Sequence, residues 1–181
     1  MEPVRTIPKK QIYKAVFEAI GQIYCQSTPE TKSLLNQALA IEEDDVAKDM
    51  LQAMLLNEEL AAKEQLPICQ DTGIVIVFAD IGTETKIENG TLYSIVSEAV
   101  NDAWGKYYLR DSIAEEPLRY FSNPQKKSKY YSQPVILHLS EILGNKLELH
   151  ISLKGGGAEN CSTLKMFNPT ATLTEIEDFI I

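Results

Sequence analysis

Two stretches of this sequence carry residue types that simple packing would not select. The first is Leu66-Pro67-Ile68-Cys69-Gln70-Asp71-Thr72-Gly73, where a thiol, an amide, a carboxylate and a hydroxyl follow one another just ahead of an apolar run. A carboxylate at a strand end can act as a general base or fix a substrate hydroxyl. A thiolate there can bind a soft metal. The competing reading is a helix-to-strand turn holding an inert buried cysteine, a common fate of free thiols. The second stretch is Lys154-Gly155-Gly156-Gly157-Ala158-Glu159-Asn160. Successive glycines permit positive φ and close backbone approach to a ligand. Their N–H groups can form an anion nest beside the charge of Lys154, with carboxylate or phosphate as the expected guest. No G-K-S/T follows, so this is not a Walker loop, and a flexible turn remains the plain alternative.

Other reactive side chains are weaker candidates. Lys126, Lys127 and Lys129 lie in a polar stretch with Asn123, Pro124 and Ser128. Such a run is usually a solvated loop, although it could attract a small anion. The three cysteines, Cys25, Cys69 and Cys161, are odd in number, widely spaced and free of C-x-x-C. That pattern argues against a disulfide framework and fits a reducing compartment.

The chain that must position these residues has 181 residues, 44% hydrophobic and 24% charged. That is globular composition with length enough for a core. Its net charge of −9 argues against nucleic acid as a partner. No apolar run is long enough to cross a membrane, and residues 1–10 lack the apolar stretch of a secretory signal, so a cytoplasmic location is expected.

Periodicity predicts a helical opening. Ile12, Val16, Ala19, Ile20 and Ile23 recur at helical steps over residues 9–26. Thr28-Pro29-Glu30 starts a second helix, and Asp44 or Asp45 caps a third carrying Val46, Met50, Ala53 and Met54. Residues 73–81 are apolar on both faces and read as a buried central strand. From Thr91, a stripe from Leu92 to Tyr107 marks the clearest helix. Residues 135–140 and 147–153 alternate and read as an antiparallel hairpin. One apolar face requires Leu139 opposite Leu149 and Leu137 opposite Ile151, which also sets His138 opposite His150. Two imidazoles without a third ligand hold zinc poorly, so these are read as ordinary surface or interface histidines. Thr174 and Glu177 match a capping box for a last short helix. The expected fold is α+β: a helical N-terminal part, then a small, mainly antiparallel sheet with a long packing helix.

Taken together, C-Q-D-T-G before an apolar strand and K-G-G-G-A-E-N after the last one resemble the α part of class I fumarases and tartrate dehydratases. Tyr108-Leu109-Arg110-Asp111-Ser112 is similar to that family's Y-L-R-x-S segment, and Ser162-Thr163-Leu164-Lys165-Met166 fits its continuation. The resemblance covers most of the chain and implies a hydro-lyase that hydrates or dehydrates a small dicarboxylate, of fumarate/malate or tartrate type. It implies a [4Fe–4S] cluster held by three cysteines, with Cys69 matching the first. It implies substrate contacts from Gln70, Asp71, Arg110, Lys154, Gly155, Gly156 and Gly157, with Asp71 in proton transfer or substrate orientation. Asn160 is a weaker candidate, and Cys161 stands where relatives carry a non-ligand.

The resemblance also implies what is missing. The family's second cysteine lies in an A-C-P-P-like segment beyond the last residue, so the chain is expected to be the N-terminal domain of an α subunit, cut short and unable to hold the cluster alone. Ser128-Lys129-Tyr130-Tyr131-Ser132-Gln133-Pro134 stands where the family has an N-T-G-D-N-x-P-like stretch. A β subunit or domain is the expected partner, in a homo- or hetero-oligomer. Two alternatives stay open: a binding or assembly module that kept the fold without the chemistry, and, more remotely, a cysteine-nucleophile enzyme built on Cys69.

Overall fold

A computed structural model describes residues 3–110, 135–157 and 162–181. Their order is β1 (Arg5–Ile7), α1 (Lys9–Ile23), α2 (Pro29–Ile41), α3 (Asp45–Glu64), β2 (Ile74–Gly82), β3 (Thr85–Ile87), α4 (Leu92–Lys106), β4 (Val135–Ile142), β5 (Leu147–Lys154) and α5 (Leu173–Ile180). The α+β class and the long packing helix are as expected. The short parallel pair β1–β3 gave no recognisable sequence signal, because three residues are too few to show a period.

The helices begin where their caps dictate. Thr28 accepts the N–H of Thr31, with Pro29 in the first turn of α2. Asp44, not Asp45, accepts the N–H of Ala47 and starts α3. Thr91 and Ser94 form a reciprocal box at α4. At α5 the box is Thr172 with Glu175, two residues before the Thr174–Glu177 match. Both pairs fit the motif, and the structure uses the earlier one, which adds Leu173 to the first turn.

The core lies between one face of the sheet and two helices. In α1, Ile12, Val16 and Ile20 are buried at steps of four residues. In α4 the buried stripe runs from Leu92 through Ile95, Val96, Ala99, Val100 and Ala103 to Trp104. These pack on Val75, Val77 and Ala79 of β2. Each large side chain buried there contributes about 1.5–3 kcal/mol.

The sheet corrects the expected hairpin. Its strand order is β4-β2-β5, so β2 lies between the two strands read as neighbours. β4 runs parallel to β2 and β5 antiparallel to it, which makes the sheet mixed instead of mainly antiparallel. The physical reason is connectivity. β2 reaches β4 through α4, and a helical crossover yields parallel strands. The rows themselves are as deduced: Leu139 and Leu149 both face Ala79, Leu137 and Ile151 both face Val77, and His138 and His150 both face Phe78. The strand between them holds β4 and β5 about 9–10 Å apart, two strand spacings. His138 stacks on Phe78 with ring centroids 4.7 Å apart, and His150 Nε2 lies 3.3 Å from Glu148. β2 is also less enclosed than its composition suggested. Ile74 and Ile76 are half-buried and Phe78 is 52% exposed, so the second face of the sheet is open.

The β4–β5 connection straddles the end of β2. Gly82 N–H donates to Lys146 O at 2.7 Å, and Thr83 N–H to Ile142 O at 2.9 Å. A Cβ on Gly82 would lie 2.3 Å from Gly144 O, so only glycine lets the connection cross this closely. Gly82→Ala should therefore cost about 1–3 kcal/mol in urea unfolding, as overpacking does. Gly105→Ala, whose Cβ meets nothing within 4 Å on α4, should instead gain about 0.5–1 kcal/mol. Equal effects at the two positions would refute the crossing as a packing constraint.

Candidate functional site

The site forms at the other end of the sheet, where β2 begins and β5 ends. Ile74 pairs with Lys154, so the segment entering β2 and the turn leaving β5 are adjacent by register. The entering loop is tied down along its length. α3 ends with Gln65 in the left-handed region, and Leu66 N–H reaches back to Ala61 O at 3.0 Å. Ile68 N–H donates to Tyr24 O at 3.0 Å, and Asn57 Nδ2 donates to Ile68 O at 2.8 Å. The loop therefore hangs between the end of α1 and the side of α3.

Beyond these anchors the polar residues emerge. Cys69 is exposed, which removes the inert-core reading of this thiol, and its Sγ lies 3.6 Å from Asp71 O as a weak donor. Gln70 is exposed as well. A small cleft of about 130 Å³ opens among Ile23, Tyr24, Pro67, Ile68, Cys69, Asp71, Thr72 and Leu153. Gly73 has φ +70, and a Cβ there would lie 2.0 Å from Lys154 O. Glycine is thus required for the loop to lie against the end of β5.

Asp71 fills the turn that the glycines make. Its carboxylate accepts the Gly157 N–H in a short hydrogen bond. The backbone N–H of Gly157, then that of Gly156, holds its pKa below the ordinary carboxylate range; partial burial opposes this, and the charges of Arg110 and Lys154 reinforce it. A Cβ on Gly155 or Gly157 would lie 2.9 Å from Asp71 Oδ2, whereas one on Gly156 would meet nothing within 4 Å. The anion seated in the triglycine nest is therefore the protein's own. Lys154 Nζ donates to Gly155 O at 3.1 Å on the flank of the same turn.

Arg110 arrives from α4. Tyr107 N–H closes on Ala103 O and Leu109 N–H on Trp104 O, with Tyr108 at φ +53. This left-handed ending turns the backbone inward, where Arg110 O accepts Thr72 Oγ1 at 2.5 Å and Trp104 Nε1 at 3.3 Å. Sequence reasoning marked Thr72 only as the hydroxyl of the polar run and Trp104 only as part of the stripe of α4, with no partner for either. The available signal was a hydroxyl inside the polar run, next to an obligatory glycine.

The structure thus brings Cys69, Gln70, Asp71, Arg110, Lys154 and Gly155–Gly157 to one end of the sheet. Cys25 lies elsewhere, fully buried in the core, where burial pushes its thiol pKa up. His138 and His150 sit in the Phe78 row on the open face. Among the described residues, no three His, Cys, Asp or Glu side chains are grouped to hold a metal. No described helix is long and apolar enough to cross a membrane. Asp111, Ser112, the Lys126–Pro134 stretch, Asn160 and Cys161 lie outside the described residues.

Comparison with known proteins places nearly the whole sequence beside one family. The sequence profile of a family described as fumarate hydratase (Fumerase) matches residues 13–181. A Methanocaldococcus jannaschii protein, provisionally named L(+)-tartrate dehydratase subunit alpha, is 30% identical over 174 residues, covering 94% of this chain. The matched region spans 60% of that relative's length.

Asp71→Asn tests the nest directly. An amide can still accept a hydrogen bond but brings no charge, so amide hydrogen exchange at Gly156 and Gly157 should speed up several-fold while exchange in α1 and α4 stays unchanged. Unaltered exchange at both glycines would show that the carboxylate does not hold the turn.

Proposed function

The chain belongs to the fumarate hydratase family, and on that premise we propose that it is an α-type domain of a hydro-lyase acting on a small dicarboxylate, of fumarate/malate or tartrate type. The single observation that carries this reading is the meeting of the Cys69–Gln70–Asp71 loop with the Gly155–Gly157 turn, under the charges of Arg110 and Lys154. The net charge is −9, and a dicarboxylate approaching such a chain needs a local positive site.

Each residue has a role its chemistry suits. Arg110 offers a planar fork for one substrate carboxylate. Lys154, on the flank of the turn that Asp71 occupies, attracts the other. Gln70 supplies an amide that can donate or accept at the same mouth. Asp71 is held ionised by backbone N–H groups, which makes it a weak base near neutral pH, since a good one titrates close to working pH. It is better suited to accept a hydrogen bond from a substrate hydroxyl and orient it. Of the two roles open to this residue, orientation is the one we assign.

Taken alone, the described residues do not fit a [4Fe–4S] cluster, since they offer one exposed thiol and no grouped partners. Cys69 is read as a single thiolate ligand whose companions come from outside them, consistent with a relative that is longer than the matched region. A β-type subunit or domain completes the pocket within an oligomer, in the cytoplasm. The inactive-module alternative gains nothing from a family match and a relative whose names are both those of hydro-lyases.

The test is anaerobic co-expression with the remaining segment of an α-type subunit and a β-type partner, followed by supply of iron and sulfide. The complex should show broad visible iron–sulfur absorbance and should dehydrate malate or tartrate. Cys69→Ser should remove both. Arg110→Ala should keep the absorbance and raise KM roughly ten- to a hundredfold, the scale of a hydrogen bond to a charged group at ~1.5–3 kcal/mol. A complex with intact absorbance and no turnover on any dicarboxylate would overturn the proposal.

A further inference from the structure

The Arg110 carbonyl accepts two buried side-chain donors, and neither is needed to end α4. The helix is already closed by the backbone bonds of Tyr107 and Leu109. Thr72 is 8% exposed and Trp104 5% exposed, yet each directs its polar hydrogen at this one oxygen. Both lone pairs of that carbonyl are thereby used. The Arg110 side chain is otherwise exposed. An arginine left to itself keeps many rotamers, and each one lost on binding a ligand weakens the bond it makes. Fixing its backbone leaves only those rotamers to be settled, because the point from which the side chain reaches is already set.

Thr72 is also the residue after Asp71. One step of chain therefore carries two ties in different directions: the Asp71 carboxylate goes to the Gly155–Gly157 turn, and the Thr72 hydroxyl goes to the end of α4. Gly73 follows, pressed against Lys154 O. A shift of this loop would move the arginine and the nest together.

We propose that Thr72, assisted by Trp104, is a positioning residue that fixes Arg110 relative to Asp71 and the triglycine turn, so that the guanidinium binds one carboxylate of a dicarboxylate while Asp71, seated in the turn, orients its hydroxyl. The proposal rests on the reading of Arg110 as a carboxylate-binding residue. Thr72 touches no substrate in this scheme; it acts through Arg110.

The experiment uses the whole chain, labelled with nitrogen-15, in four forms: the native protein, Thr72→Val, Thr72→Ser and Trp104→Phe. Thr72→Val keeps shape and removes only the donor. Without ligand, it should shift the Trp104 indole resonance and increase the mobility of the Arg110 Nε–H, with the amides of α1 unchanged. Thr72→Ser should restore both. Trp104→Phe removes the second donor without touching the loop and should loosen Arg110 in the same way. It keeps the test open if Thr72→Val fails to fold. Titration with malate and L-tartrate forms the second arm. Thr72→Val should weaken binding about tenfold, the scale of one lost hydrogen bond, and should add no loss in an Arg110→Ala background, the mark of one residue acting through another. An Arg110 Nε–H that stays as rigid as in the native protein in both folded variants, or a Trp104 indole that does not move in Thr72→Val, would overturn the proposal. So would additive losses in the double variant. If those signals move as expected but neither the native chain nor its complex with the remaining α segment and a β-type partner binds either acid, the positioning stands and it is the dicarboxylate reading that fails.

Discussion

A carboxylate held by backbone N–H groups organises this end of the molecule. Asp71 enters from the α3–β2 loop and the Gly156–Gly157 amides come from the turn after β5, so one interaction joins segments more than eighty residues apart in sequence. It also accounts for the composition of the turn. A Cβ on Gly155 or Gly157 would come within 2.9 Å of Asp71 Oδ2, so a side chain at either would displace the carboxylate from its seat. A nest built only for an external anion would gain no such restriction from inside the protein. The glycines are thus needed first by the fold, and any ligand must share their N–H groups with a resident charge.

Sheet topology makes this meeting possible. Because β5 runs antiparallel to β2, the end of one lies beside the start of the other, and Lys154 pairs with Ile74. The parallel strand β4 enters the sheet at the same end, and α4 ends there with Arg110 beside Thr72. The opposite end is occupied by the β4–β5 connection crossing Gly82. The chemistry-bearing segments are therefore gathered at one end and the structural crossing lies at the other. α1 and α4 cover the face of Val75, Val77 and Ala79, which leaves the Phe78 face open. The α2–α3 pair stands out from this core: α2 buries no residue and α3 buries only Ala61.

Electrostatics at the site runs against the charge of the whole chain. Acidic residues dominate overall, yet Asp71 sits among N–H dipoles, Arg110 and Lys154, all of which favour its ionised form. A carboxylate stabilised in this way keeps its charge and accepts hydrogen bonds, and it gives up the basicity that proton abstraction needs. The same surroundings that suit it to orienting a hydroxyl are those that would attract a second carboxylate.

The sequence by itself determined the longer elements and the candidate chemistry. Stripes at three- and four-residue steps marked α1 and α4, and Thr28, the pair Asp44 and Asp45, and Thr91 marked starts, because caps and periodicity are local. The cysteine loop and the triglycine turn stood out by residue type alone. Alternation also fixed the rows Leu137–Ile151, His138–His150 and Leu139–Leu149. It could not reveal that β2 lies between those strands, since alternation reports which face a residue takes, and a strand set between them in matching register gives the same rows. Only the tertiary structure decided that neighbour, the true box of α5 and the exposure of Cys69. It alone disclosed that the nest is filled by Asp71 and that Thr72 and Trp104 share the Arg110 carbonyl. Those are contacts between residues distant along the chain, and their partners are chosen by packing, which no local pattern encodes.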